Sequence, residues 1–379
     1  MRPSGGFVPP SKHIACLDAI RGLAALTVIG SHYVRAYDLP CQTDQCNRWL
    51  TYTPLHIWWD GNAAVSLFFV LSGLVLALKH FSHGVTPDIS RFPLIAFILS
   101  RIFRIWPAYL AILAISAMLN WHYPSNFSNF PVTTPKQNDW LPSLWGQPTG
   151  WWEVFQDSCL LCMRMDMRFL PQAWTLSVEL ALSLLVPVGI LLVARGTAWL
   201  VGFTLFAVYP LGVSPYLFHF MLGIVLAKHH QGIARGVLAP FTHRFLAWLL
   251  GLFLYTVGET FGLWINPQAV AWLTGLGSGV LLLCMLASET FQRILSFPLL
   301  RYLGKVSYSI YLIHFAVLIN ATPLLLFLLN AFVDGFVLAW WLGFAMTLAC
   351  SIGFAGLCHR FVEVPGMALG KRLGAIAKG

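Results

Sequence analysis

Charged side chains are scarce in this sequence. Asp, Glu, Lys and Arg together make up 10% of its 379 residues, whereas a soluble domain carries about 25%. Apolar residues make up 58%, and the mean hydropathy is +0.72. This composition excludes an ordinary soluble enzyme. It indicates an integral membrane protein, with most of the chain in the bilayer.

Three further features are missing. The cysteines follow no zinc-binding spacing, so no metal site is predicted. No small-residue cleavage site follows the first apolar run, so we expect that run to be retained as a span and not removed with a signal peptide. No convincing internal repeat is present, although secondary transporters of this size usually contain one. These absences disfavour a zinc enzyme and weaken the case for a transporter.

Apolar runs of spanning length recur along the chain. They predict an all-α polytopic membrane protein with about ten transmembrane helices, which form a single membrane domain over residues 1–379. The fifth and sixth runs are short and separated by a Pro-rich turn. The runs are 14–33, 62–80, 97–119, 173–194, 197–212, 215–230, 244–263, 268–288, 306–329 and 337–359.

The positions of Lys and Arg predict the orientation. With the N-terminus in the cytoplasm, most of the 23 basic residues fall on the cytoplasmic side, as expected for a membrane protein. Both termini are then cytoplasmic, with residues 1–13 as the N-terminal tail and 362–379 as the C-terminal tail. This placement explains the net charge of +9 without a nucleic-acid partner.

The first run contains three ionisable residues, which are Asp18, Arg21 and His32. Arg21 and His32 are eleven positions apart, so on a helix they share a face and lie about 16 Å apart along the axis. Asp18 is one turn before Arg21, where an ion pair can form. Each such residue costs about 3 kcal/mol or more inside a span. They are therefore either a functional stripe or, alternatively, snorkelling residues with an interfacial histidine.

Two arginines and a glutamate stand out in later runs. Arg101 and Arg104 share a face at the start of the third run, because residues three apart are neighbours on a helix. Such a pair either anchors the span at the cytoplasmic interface or forms a fork for phosphates or a carboxylate. Glu179 lies inside the fourth run, and an ionisable residue at that depth is a candidate for a functional role.

A polar stripe opens the ninth run. Ser307, Tyr311 and His314 recur at spacings of four and three, which places them on one helical face, with Tyr308 beside them. Ser72 lies in the second run among small residues that favour close helix packing. These polar groups either form hydrogen bonds between helices or take part in a site.

Two predicted outer segments, 34–61 and 120–172, are rich in Trp and Tyr. On an oxidising outer face Cys41 and Cys46 can form a small disulfide loop, and Cys159–Cys162 is a weaker candidate pair. Aromatic residues at a membrane surface commonly form an interfacial belt. The alternative is a platform on which an amphipathic acceptor such as a sugar stacks.

Six short motifs make this sequence resemble the acyltransferase-3 family of integral membrane O-acyltransferases. The resemblance covers most of the chain and is to members without an appended esterase-like domain. Two positions depart from the family pattern: Phe315 stands where Pro is common, and LALS follows Glu179 where many members have a second Glu and an aromatic pair. The motifs are LDAIRGLAALTVIGSH at 17–32, FFVLSG at 68–73, RIFRIWPAY at 101–109, WTLSVE at 174–179, GKVSYSIYLIH at 304–314 and EVPGMALGKRL at 363–373.

The resemblance implies transfer of an acyl group, usually acetyl, from a cytosolic acyl-CoA to a hydroxyl of a glycan or lipid-linked sugar at the outer side. No metal is expected from the residues themselves, and membrane lipids are expected to surround the chain. A hydroxyl needs a base to attack at neutral pH, and His32 is the expected base or, alternatively, the acyl carrier. Glu179 is the second expected catalytic residue. The implied location is a bacterial inner (plasma) membrane.

The remaining site residues are assigned by the same resemblance. Acyl-CoA carries phosphates at one end and its thioester at the other, so basic residues are expected along its path and donors near the thioester. Asp18 is expected to keep Arg21 charged and aimed. The expected acyl-CoA-binding residues are Arg21, Lys79, Arg101 and Arg104. The expected supporting residues are Asp18, Ser72, Trp174, Ser307, Tyr308, Tyr311 and His314.

A proton-coupled secondary transporter is the alternative function. In that case His32 and Glu179 would relay protons through the membrane. Consumption of acyl-CoA distinguishes the two functions, because a transporter does not cleave the thioester.

Overall fold

The computed structural model describes residues 10–41, 43–81, 92–122, 140–145, 149–162, 169–262, 264–333 and 335–376. The regular structure of these residues is helical, with no strand among them. Residues 1–9 and 377–379 of the two predicted tails lie outside the described ranges. The α-helices are α1 Pro10–Tyr37, α2 Asp44–Tyr52, α3 Gly61–Phe81, α4 Leu94–His122, α5 Trp140–Trp145, α6 Trp151–Ser158, α7 Trp174–Leu184, α8 Val186–Arg195, α9 Thr197–Val208, α10 Tyr216–Arg235, α11 Phe241–Tyr255, α12 Val257–Phe261, α13 Pro267–Ala287, α14 Glu289–Leu295, α15 Pro298–Ala316, α16 Thr322–Asn330, α17 Phe336–Cys358 and α18 Val364–Ile376.

Every apolar run in the sequence coincides with one or more of these helices. Among the described residues, five helices are long and apolar enough to cross a membrane, or six if the bent pair α7 and α8 is one span. The apolar helices α9 and α11 have 12 and 15 residues, and a span needs about 20. For the described residues the predicted all-α fold is therefore confirmed, with helices that could span a membrane. The count of about ten spans and the cytoplasmic side of both termini stay predictions.

The helices group into two compact units. One comprises Met1–Ala24, Ser66–Pro87 and Val188–Ser307, and the other comprises Ala25–Val65, Asp88–Pro187 and Tyr308–Gly379. The single-domain assignment stays a prediction.

In the first unit, glycines allow α1 and α15 to touch backbone to backbone. A Cβ on Gly22 would overlap the backbone at Leu303 and Gly304, and a Cβ on Gly304 would overlap the backbone of Asp18. Small residues at a crossing permit this approach between membrane helices. The contact fixes the register of α1 against α15.

Helix α18 packs along α4 in the second unit. Gly366 contacts Phe103 and Pro107, and Gly370 contacts Phe103. Residues 364–376, which the sequence placed in the C-terminal tail, thus form a helix that packs on its neighbour. A π-helical turn over residues His359–Glu363 joins α17 to α18.

Side chains of α4 hold the segment that contains α5 and α6. Trp106 Nε1 donates to the Ser158 carbonyl at 2.9 Å, and Asn120 Oδ1 accepts from the Thr149 amide at 3.1 Å. Asn120 Nδ2 donates to the Trp145 carbonyl at 3.4 Å. Both predicted disulfides, Cys41–Cys46 and Cys159–Cys162, are present.

Candidate functional site

Helices α1 and α15 bring His32 and His314 together in the second unit. His32 Nδ1 lies 2.8 Å from His314 Nε2, and the two rings stack with centroids 5.0 Å apart and planes 17° apart. The two imidazoles thus lie in direct contact although they belong to different helices.

Hydrogen bonding sets the tautomer of both rings. His314 Nδ1 lies 2.8 Å from the Tyr311 carbonyl, which can only accept, so this nitrogen carries the hydrogen. In neutral His314 the Nε2 atom then accepts, and His32 Nδ1 must be the donor to it. His32 Nε2 consequently keeps its lone pair. His314 is 1% exposed whereas His32 is partly exposed, so the basic nitrogen belongs to the accessible ring.

The short 3-10 turn Pro171–Ala173 and the first turn of α7 fix the part of α15 that carries His314. Gln172 Nε2 donates to the Leu312 carbonyl at 3.0 Å and to the Tyr311 carbonyl at 3.3 Å. Tyr311 in turn shares a hydrogen bond with Thr175 Oγ1 at 2.7 Å. Gln172 and Thr175 are buried. Buried networks of this kind hold side chains in one geometry.

Aromatic side chains surround the His32 ring. The Trp140 centroid is 5.5 Å away and tilted by 44°, and Phe315 stands edge-on at 6.1 Å. The guanidinium carbon of Arg35 lies 4.9 Å from the Trp140 centroid. The imidazole therefore has an apolar wall with one cation beside it.

A second polar cluster surrounds Tyr308. Its hydroxyl donates to the Ile105 carbonyl at 2.6 Å, and Tyr308 interacts electrostatically with Glu363, Glu179 and Arg104. The cluster contains both a catalytic candidate, Glu179, and an acyl-CoA-binding candidate, Arg104. In the structure it is His314 that contacts His32 Nδ1, and a catalytic role for Glu179 stays a prediction.

Glu363 is a buried carboxylate in the same cluster. It is 2% exposed and accepts hydrogen bonds from Ser309 Oγ at 2.8 Å and His359 Nδ1 at 2.9 Å. The residue lies in the π-helical turn between α17 and α18, and such turns recur at functional sites. Buried charges in proteins are retained where partners satisfy them.

The other predicted residues lie as follows. Asp18 and Arg21 form the expected ion pair at 3.2 Å in the first unit. Arg104 Nη1 contacts Met367 Sδ at 3.3 Å, and Arg101 lies 5.9 Å from the Phe97 ring. Their roles stay predictions. Of the rest, Lys79 is exposed, Ser72 and Ser307 are buried, and Glu179 and Trp174 are partly exposed.

Three residues that lie in or near these clusters were not predicted from the sequence. Glu363 belongs to the C-terminal motif at 363–373, so a signal was present. Trp140 lies in an aromatic-rich segment with no periodicity that separates it from its neighbours. Gln172 precedes the WTLSVE motif and carries no signal of its own.

The chain is similar to known acyltransferases. The model of a family described as an acyltransferase domain, acyltransferase-3, matches residues 14–356. A protein of Staphylococcus aureus (strain COL), named "Putative O-acetyltransferase SACOL0978", is 23% identical over 403 residues. The alignment covers 96% of this chain and 59% of that protein, so the chain spans well under two thirds of its relative. No solved structure matches.

Proposed function

This chain belongs to the acyltransferase-3 family, and from that membership we propose that it moves an acyl group, acetyl in the simplest case, from a cytosolic acyl-CoA to a sugar hydroxyl. The proposed acceptor is a glycan or lipid-linked sugar at the outer side of a bacterial inner membrane. The staphylococcal relative is named as an O-acetyltransferase, which supports an acetyl group and an oxygen acceptor.

One observation supports the proposed chemistry most directly. His32 Nδ1 is held by His314, so Nε2 is presented as the basic atom on a partly exposed ring. Neutral imidazole is the side chain best suited to take a proton near pH 7. The geometry therefore supports His32 as the group that activates the acceptor or receives the acyl group.

Two routes use the same nitrogen. In direct transfer, His32 Nε2 removes the hydroxyl proton while the oxygen attacks the thioester carbonyl. The C–O bond forms, the C–S bond breaks, and the coenzyme A thiolate takes the proton from His32. In the two-step route, Nε2 first attacks the thioester carbonyl, so that the C–N bond forms, the C–S bond breaks and coenzyme A leaves as the thiolate. The hydroxyl then attacks the acyl-imidazole, the C–O bond forms as the C–N bond breaks, and the hydroxyl proton neutralises the thiolate. In either route His32 becomes positive for a time, and its Nδ1–H bond to His314 strengthens.

Thiol release and acceptor mass together test this function. The full chain in nanodiscs is expected to release free coenzyme A from acetyl-CoA when cell-envelope glycans and lipids are added. Mass spectrometry is expected to find an acetyl increment on these glycans or lipids in cells with the protein, and to lose it in cells without it. Proton-driven uptake into proteoliposomes without thiol release would instead indicate the transporter.

Arg104→Ala is expected to raise the KM for acetyl-CoA about 10- to 100-fold. This factor corresponds to the loss of one hydrogen bond from a charged group to a phosphate. The kcat should change much less, because the phosphates are remote from the reacting carbonyl. Initial rates at varied acetyl-CoA give both constants. Arg293→Ala, on an exposed side chain of α14, is the matched control. An effect confined to the acceptor KM would contradict the phosphate role.

A further inference from the structure

Trp140 occupies a position next to the proposed catalytic ring. It is the first residue of α5, and its ring contacts both His32 and Phe315, with centroids 5.5 and 5.9 Å away. Arg35, one turn after His32 on α1, places its guanidinium 4.9 Å from the centre of the indole. An indole, a guanidinium and an imidazole thus meet at one point of the second unit.

Helix α5 is anchored by residues other than Trp140. Leu141 and Trp145 are buried in a core that includes Tyr33, Tyr37 and Trp340. Residues four apart share a helical face, so Leu141 and Trp145 together turn that face of α5 to the core. Trp140 is left at the margin of this core, partly exposed. The fold therefore presents the indole beside His32 without needing it as the main anchor.

The side chains of Trp140 and Arg35 beside His32 suit the binding of a hydroxylated ring. A Trp face carries partial negative charge and packs against the C–H groups of a flat apolar surface, such as one face of a pyranose. Arg has five N–H donors and no acceptor, so it donates to the oxygen atoms of hydroxyls. Arg35 is exposed and held in orientation by its contact with the indole.

We propose that Trp140 and Arg35 form the acceptor subsite of this enzyme. It takes a carbohydrate ring, which packs against the indole while its hydroxyls accept hydrogen bonds from Arg35. One hydroxyl of that ring then reaches His32 Nε2. The inference rests on the proposed function and adds the residues that hold the acceptor.

A small acceptor separates binding of the ring from chemistry at His32. Hydroxylamine attacks a thioester or an acyl-imidazole, gives the acyl hydroxamate and releases the thiol, and has no ring to be held. The ring-bearing probes are the methyl glycosides of glucose, galactose and N-acetylglucosamine. For each variant the decisive quantity is kcat/KM for a glycoside divided by kcat/KM for hydroxylamine, with acetyl-CoA as donor.

Trp140→Ala is expected to lower this ratio about tenfold, and Arg35→Gln about fivefold, because Trp and Arg dominate the energetics of binding surfaces. Trp140→Phe keeps an aromatic face and should restore most of the ratio. Trp199→Ala is the matched control, since Trp199 is 66% exposed on α9 in the first unit, outside the two aromatic-rich segments. It is expected to leave the ratio unchanged.

Each other outcome is informative. If Trp140→Ala lowers both reactions equally, the indole only positions His32, and the acceptor subsite is wrong. An unchanged ratio in Arg35→Gln removes Arg35 from the subsite. Acylation of hydroxylamine but of no glycoside by the wild-type protein overturns the carbohydrate assignment. If the wild-type protein acylates neither probe, the proposed function itself fails.

Discussion

His32→Ala is expected to abolish acyl transfer, with kcat lowered by roughly 10²- to 10⁴-fold, the usual contribution of a general base, or by more if the imidazole carries the acyl group. The variant loses the lone pair on Nε2, and no hydroxyl attacks a thioester fast at neutral pH without it. The measurement is thiol release from acetyl-CoA in nanodiscs, followed at saturating donor and acceptor.

The control for this variant must separate chemistry from folding. His32 is partly exposed, so its removal leaves a small gap rather than a buried cavity, and the helical content and elution volume should match the wild type. Added imidazole should restore part of the activity by entering that gap. His243→Ala changes an exposed histidine of α11 and should be as active as wild type. Wild-type rates in His32→Ala would exclude His32 as base and carrier alike.

Contacts within one helix could be derived from the sequence, because helical geometry fixes them. Asp18 and Arg21 are three residues apart, and they form the pair that this spacing predicts. Tyr311 and His314 fall on the stripe inferred from their spacing, and both are buried on α15. These relations need only 3.6 residues per turn.

Contacts between helices could not be derived in the same way. His32 and His314 are 282 positions apart and lie on different helices, so helical periodicity does not relate them. Trp140 could not be predicted from the sequence either, because its helix is short and shows no periodic pattern. Leu141 and Trp145, which are buried in the core, hold this helix in place.

The number of membrane crossings could not be predicted reliably from the sequence. Apolar runs identify helices reliably here, because each run coincides with one. Length and composition support five or six crossings among the described residues. Of the other apolar helices, α9 and α11 are shorter than the apolar thickness of a bilayer requires. Composition therefore predicted correctly that these segments are helical, whereas the count of about ten crossings stays a prediction.

His314→Phe is expected to lower kcat by roughly 10²- to 10⁴-fold while the KM for acetyl-CoA changes little, by analogy with the loss of the residue that orients the histidine of a catalytic triad. Phenylalanine retains the ring volume but cannot accept the hydrogen from His32 Nδ1. The imidazole is then free to place its hydrogen on Nε2, the atom that must be basic. Steady-state kinetics with varied donor and acceptor measure the fall in kcat and the KM for acetyl-CoA separately.

His314→Gln distinguishes orientation of His32 from simple packing. A glutamine oxygen accepts the hydrogen bond that His314 Nε2 accepts at 2.8 Å in the native protein. It should therefore recover part of the kcat lost in His314→Phe, although it fills the stacking space less well. If packing were the role, His314→Phe would be the more active of the two, because its ring still stacks on His32. That order of activities would contradict the tautomer argument and leave His32 without a partner that sets its basic nitrogen.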